Sequence, residues 1–282
     1  MLDSKIMLNV KYFSDPTYTD YDKILGDEAT GSATITLADS EYLYIGFYKP
    51  ISEIYFEFTT PNINANTLAA EYYSEDDSDW SSLTITDETN GFTENGFIHF
   101  NRPVDSNDSN DWDENTVDSK ELYWIRLQPS VTHSETVYKF CGLIFSDDKS
   151  LATINPFIND SEMLCGQTTH LKVHVAARNR IIQKLLTEGK IKYNSDGLRT
   201  RITGWDILDK NEVKEAAAYL ALSFIYFNLS DNPVDSWMEK SKYYDRIYLN
   251  LIKSSVLSLD VDDDGLIDDT ERVAFSTHTM VR

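Results

Sequence analysis

Residues 260–271 read Asp-Val-Asp-Asp-Asp-Gly-Leu-Ile-Asp-Asp-Thr-Glu. Asp260, Asp262 and Asp264 alternate, so a tight loop can turn their carboxylates toward one point. Gly265 stands where such a loop must bend sharply, Leu266 contributes a backbone carbonyl, and Ile267 is the apolar anchor. Asp268 binds directly or through water, and Glu271 is placed to bind through both of its oxygens. A hard cation needs several converging oxygens, and every constrained position here holds the right residue type. The expected ligand is a structural Ca2+ held by Asp260, Asp262, Asp264, Leu266, Asp268 and Glu271.

Over these twelve residues, and no further, the motif resembles the EF-hand loop and its relatives. Sensor EF-hands work in pairs, and this sequence carries a single copy. The expectation is therefore a structural ion that pins the preceding helix to the C-terminal tail, not a switch.

Other candidate chemistry is thinner. His170 and His174 are four apart and share a helix face, but Leu171 stands where a zinc metalloprotease needs Glu, so packing or surface roles are expected. No G-x-S-x-G, Walker loop or G-x-G-x-x-G occurs. Carboxylates are abundant enough to place a glycosidase pair by chance, and nothing pre-arranges a nucleophile or base, so an enzyme is not expected. Two acidic loops, Glu75–Asp79 and Asp105–Glu114, read as solvated turns or cation sites. Trp80 and Trp112 flank them and offer an aromatic platform for a glycan. Trp124, in an alternating strand, and Cys141 read as core.

The elements that would position these residues divide the 282-residue chain in two. Hydrophobic residues make up 41% and aromatics 12%, with 17 Tyr, enough for real cores and favourable to strands. Strand-like alternation marks Tyr42–Tyr48, Ile54–Phe58, Ala69–Tyr73, Phe97–Phe100, Leu122–Leu127 and Tyr138–Phe145, with turn signals at Asn90-Gly91 and Asn95-Gly96. From His170 the spacing becomes helical: His170–Glu188, Glu212–Leu229 with Asp209 and Glu212 as a capping box, and about Val234–Ser255. The middle helix is apolar on nearly all sides and must be buried. The expected fold is α+β and multidomain. An acidic antiparallel β-sandwich spans 1–150, a three-helix bundle 151–259, and the EF-hand-like calcium loop with an extended tail 260–282.

Net charge is −22. Residues 1–150 hold 9 Lys and Arg against 28 Asp and Glu, and residues 151–282 hold 16 against 19, so the acidity belongs to the first half. Such a surface repels nucleic-acid phosphates. Two cysteines make no disulfide framework, no signal-peptide layout opens the chain, and the apolar run Ala216–Phe227 is too short to span a bilayer. A soluble protein made in the cytoplasm, with no membrane partner, is expected.

Several residues of the second half sit in a familiar order. They are His174, Ala177, Ile181 and Leu185, then Glu215, Ala216, Tyr219-Leu220-Ala221-Leu222-Ser223 and Ile225-Tyr226, then Asp235, Trp237, Lys240, Tyr244 and Tyr248, closed by the Asp-rich loop. On these, residues 165–282 resemble head-to-tail adaptor (connector) proteins of tailed bacteriophages. Through Trp80, Gly91, Phe92, Gly96, Phe100, Pro103, Trp112 and the run Leu122–Leu127, the first half resembles sandwich modules of phage tail and neck proteins. Adaptors are often the helical bundle alone, so a large N-terminal sandwich is a departure, suited to a collar decoration or a fibre contact.

The resemblance implies a non-enzymatic virion protein, assembled in the host cytoplasm into a homo-oligomeric ring, commonly dodecameric, at the neck. The ring would dock under the portal protein and receive a downstream neck or tail-completion protein. Packaged DNA would pass through it without specific binding. Val273, Phe275, His278, Met280 and Arg282 of the tail would contact the portal. The alternative is a calcium-dependent carbohydrate- or protein-binding module of a phage tail or fibre.

Overall fold

The structure is a computed structural model and describes residues 8–25, 31–103, 111–190, 192–193, 199–200, 202–260 and 272–275. It divides into two compact units, 1–143 and 144–282, a boundary slightly earlier than the expected 150. The first unit consists of β1 (Asn9–Ser14), β2 (Thr17–Asp20), the single turn α1 (Asp22–Leu25), β3 (Ala33–Ile35), β4 (Tyr42–Phe47), β5 (Glu53–Thr60), β6 (Leu68–Ser74), β7 (Asp79–Leu83), β8 (Ile85–Asp87), β9 (Gly96–Phe100), β10 (Glu114–Val117), β11 (Lys120–Pro129) and β12 (Thr136–Gly142). One sheet runs β2-β1-β4-β11-β6-β7, with β10 also on β11, and the other β3-β12-β5-β9-β8. Every pairing is antiparallel.

Alternation explains the first sheet. In β4 and β11, Leu43, Ile45, Ile125 and Leu127 are fully buried on one face, while Tyr42, Tyr44 and Arg126 take the other. The second sheet is buried more evenly, with Ile54, Tyr55, Phe56 and Phe58 of β5 all inside. The two sheets face one another across Trp112, whose ring meets Tyr72 of β6 at 6.3 Å and Phe100 of β9 at 6.0 Å. Asn95-Gly96 is not the expected turn. Gly96 opens β9, and the Asn95 side chain accepts a hydrogen bond from the Phe58 backbone N–H at 2.8 Å.

Gly46 lies directly opposite Trp124, and a methyl group added there would come within 2.5 Å of the indole ring. Trp124 is fully buried, so the ring has nowhere to go. Gly46→Ala is expected to destabilise the unit by about 1–3 kcal/mol through overpacking, measured by denaturant unfolding.

His133 is 2% exposed, packs edge-on against Phe92 at 5.4 Å, and finds no hydrogen-bond partner for either ring nitrogen among the described residues. Burial pushes its pKa down to about 4. The unfolded chain binds a proton below about 6.5 that the fold refuses, so this contribution is intact above 6.5 and is lost as pH falls toward 4. The loss is at most roughly 3 kcal/mol. Melting temperature should fall between pH 6.5 and 5 in the wild type and stay flatter in His133→Leu. His99 works in the opposite sense: its hydrogen bond to Glu53, with Glu88 on its other nitrogen, outweighs burial and raises its pKa. Its contribution is present at and below the unfolded value of 6.5 and fades as pH climbs through the raised one.

The second unit comprises α2 (Asp148–Ile154), α3 (Ser161–Leu164), α4 (Leu171–Thr187), β13 (Lys192–Tyr193), β14 (Arg199–Thr200), a 3-10 turn at Gly204–Asp206, α5 (Asn211–Leu229), α6 (Ser236–Ser254), β15 (Val256–Ser258) and β16 (Arg272–Ala274). Helix α5 packs on both α4 and α6. It buries Val213, Leu220, Leu222 and Ile225 together with Ala216, Ala217, Ala218 and Ala221, small side chains that let neighbouring helices approach. Asp235 caps α6, accepting from the Met238 N–H at 2.7 Å, and this bond holds its carboxyl below the usual range.

The expected capping box on α5 is absent. Asp209 instead accepts from the Asn211 N–H two residues on, and Glu212 turns away from the helix start. Its two oxygens accept from the Ser258 N–H at 2.7 Å and the Ser258 hydroxyl at 2.9 Å. A partner 46 residues away outcompetes the local one.

Candidate functional site

The chain around the expected calcium loop is a β-ribbon. Strands β15 and β16 pair antiparallel, with Val256 opposite Ala274, Leu257 opposite Val273 and Ser258 opposite Arg272. The acidic loop therefore joins two adjacent strands; it does not run from a helix straight into a free tail. The ribbon is fixed to the unit on its other side. The Leu208 N–H donates to the Ser258 carbonyl at 2.9 Å, Ile207 bridges Leu259, and the Asp260 N–H donates to the Asp206 carbonyl at 2.8 Å. Asp206 is fully buried, its carboxylate accepting from the Thr203 N–H and hydroxyl at 2.6 and 2.8 Å. Asp260, the first of the expected ligands, is 1% exposed at the ribbon's mouth. Asp262, Asp264, Leu266, Asp268 and Glu271 lie outside the described residues.

That frame corrects the reading of the tail root. Phe275 was expected on an extended portal-contacting arm. It is fully buried, and its N–H donates to the Ser255 carbonyl at 2.9 Å. Val273 is a half-buried strand residue. A fully buried aromatic ring gains more from the unit's own core than from solvent. His278, Met280 and Arg282 lie outside the described residues.

The aromatic platform is also redrawn. Trp112 is 1% exposed, and its indole N–H donates to the Trp124 carbonyl at 3.2 Å, so it cannot receive a ligand. Trp80 is half-buried on the outer face of the first sheet. There the Arg126 guanidinium lies 4.4 Å from the centroids of both the Tyr42 and Trp80 rings and pairs with Glu71. Tyr44 meets Trp80 at 5.5 Å, and Tyr18 and Phe13 extend the strip, Tyr18 being 37% exposed. Its end is charged: buried Lys11 bonds Asp118 at 2.6 Å and Asp20 at 3.4 Å. Burial opposes that ammonium, but the acids outweigh it and raise its pKa. The alternation of Tyr42 with Tyr44 and of Trp124 with Arg126 was the available signal, since same-face neighbours on paired strands meet.

Of the acidic loops, Glu75–Asp79 is an exposed turn between β6 and β7 whose base is organised by Asp111. The Asp111 carboxylate accepts from Tyr72 at 2.5 Å, Ser74 at 2.8 Å and the Asp76 N–H at 3.1 Å. Burial works against its charge, yet these donors hold its pKa low. A carboxylate anchors the two loops to each other here. Residues 104–110 lie outside the described residues.

The two histidines, by contrast, assemble a chain the spacing did not reveal. Ser146 Oγ meets His174 Nδ1 at 3.0 Å, and His174 Nε2 meets Asp148 Oδ1 at 3.0 Å. Hydroxyl, imidazole and carboxylate stand in the order of a nucleophilic triad, but access is reversed. Ser146 is 1% exposed, whereas the Asp148 side chain is 23% exposed. A nucleophile must reach substrate, so the chain is a brace tying residues 146–148 to α4. His170 completes it, its ring meeting the Ile158 carbonyl at 3.0 Å. Among the described residues no cluster of His, Cys, Asp and Glu could hold a metal, and no helix is long and apolar enough to cross a membrane. Compared with known proteins, the chain matches no protein-family model and no curated protein.

Proposed function

We propose that the chain is a structural protein of a tailed-bacteriophage neck, a head-to-tail adaptor that forms a ring between portal and tail and carries an added β-sandwich. The observation behind this reading is the seam between α5 and α6. Residues that carry the adaptor resemblance stack there: Tyr226 on Trp237 at 5.6 Å and on Tyr244 at 5.4 Å, and Tyr219 on Tyr244 at 6.0 Å, with the Lys240 ammonium over both Tyr226 and Trp237. Residues spread over about two turns of each helix thus act as one packing unit, as a bundle of α4, α5 and α6 requires. The acidic surface lets DNA pass without sticking, and Ca2+ at the ribbon mouth is a structural ion.

The test is localisation in native particles by imaging. A ring of copies between capsid and tail is the expected result. Finding the protein only at a fibre tip or baseplate, or in no particle, would overturn it.

The Trp80–Arg126 strip favours a second reading, a carbohydrate-binding module of a tail or fibre. It calls for a half-exposed aromatic edge beside charged hydrogen-bonding groups, and Trp80, Arg126 and Glu71 supply one. A glycan screen with wild type and Trp80→Ala decides it: no glycan retained by the wild type removes this reading.

A further inference from the structure

A groove of about 430 Å³ runs between α4 and α6. Leu220 and Phe224 of α5 form its floor, Arg180 and Lys184 of α4 one wall, and Asp245 and Tyr248 of α6 the other. Tyr248 is 2% exposed, yet its hydroxyl finds no hydrogen-bond partner among the described residues. An unpaired buried hydroxyl is costly. Burial pushes its pKa up to about 12, with Arg180 and Asp245 close enough to modulate it, so the phenol stays protonated. Lys184 is held by Glu188 at 3.3 Å, while Arg180 is exposed and no ion pair is found for it among the described residues. From Leu171 to Thr187, α4 carries Lys172, Arg178, Arg180 and Lys184 and no acid, in a chain whose net charge is −22.

The exposed Arg180 has a complementary charge in the same sequence. The β6–β7 turn presents Glu75, Asp76, Asp77 and Asp79, all exposed, on a base made rigid by Asp111. We propose that the α4–α6 groove is the socket for the acidic Glu75–Asp79 turn of a second copy of this chain. One carboxylate reaches the exposed Arg180 fork, and Asp245 on the facing wall keeps the incoming charge on the α4 side. The contact joins two different surfaces, so it propagates head to tail, as a ring needs. It rests on the ring reading in requiring copies to meet.

The test uses the full chain and sedimentation at two salt concentrations. Self-association that weakens with salt is expected, reduced about tenfold or more by Arg180→Glu with Lys184→Glu, and equally by Glu75→Lys with Asp76→Lys. Mixing the two variants restores both charge pairings and should restore association. Wild-type association in the charge-reversed variants would overturn the contact while leaving a ring through other surfaces intact. If the chain stays monomeric, a synthetic peptide of residues 72–83 becomes the probe. Its failure to bind the chain overturns the socket whatever particle imaging shows.

Discussion

Phe275→Ala is expected to cost about 3–5 kcal/mol of stability in the C-terminal unit, the range for emptying a buried aromatic site. Three observations set that size. The ring is fully buried, its backbone N–H is bonded to Ser255, and it directly follows the strand that pairs with β15. Unfolding in denaturant, followed by circular dichroism at the helical band, measures it. A change under about 1 kcal/mol would mean that the residue is the free tail contact the sequence suggested, since surface substitutions fall below that. Strands β15 and β16 flank the proposed calcium-binding residues, so under that reading the same substitution should also weaken calcium binding.

Withdrawal of calcium should produce the second large change. An ion bound only by the folded chain stabilises it by about 2.7 kcal/mol at a hundredfold excess over its dissociation constant. The wild type should therefore melt several degrees higher in calcium than in chelator. Glu271→Gln removes the residue that binds through two oxygens and should erase the difference. Equal melting of the wild type in both buffers would rule out a structural ion. The described residues supply the frame: Asp260 buried at the ribbon mouth, its N–H on the Asp206 carbonyl, and Glu212 gripping Ser258 two residues earlier. A loop whose ends are held pays less entropy to gather its ligands.

Much of the architecture was legible because it rests on local periodicity. Helices α4, α5 and α6 lie within a residue or two of the expected spans, and β4, β5, β6, β9 and β11 lie where alternation placed them. The strands that were missed are short or polar. All four residues of β2, Thr17–Asp20, are exposed, and β10, Glu114–Val117, buries only its last residue. Such strands exist through pairing with a neighbour, which no window of sequence reports.

The sequence by itself determined the two-part α+β plan, the placement of acidity in the first half, and the burial of α5 and of Trp124, and it carries the oxygen-rich pattern at 260–271 on which the calcium proposal rests. These follow from composition and from periods of two and 3.6, which act between near neighbours. Tertiary structure alone decided the fates of single side chains. Trp112 is sealed between two sheets while Trp80 lies under Arg126. Glu212 leaves its own helix cap for Ser258, and Phe275 turns into the core. His174 closes a brace with Ser146 and Asp148, and the Tyr248 hydroxyl is buried with no partner among the described residues. Each of these outcomes is a competition between a local partner and one tens of residues away. The distant partner wins when folding has already brought it close and excluded water, because a buried polar group must then pair with whatever the packing supplies.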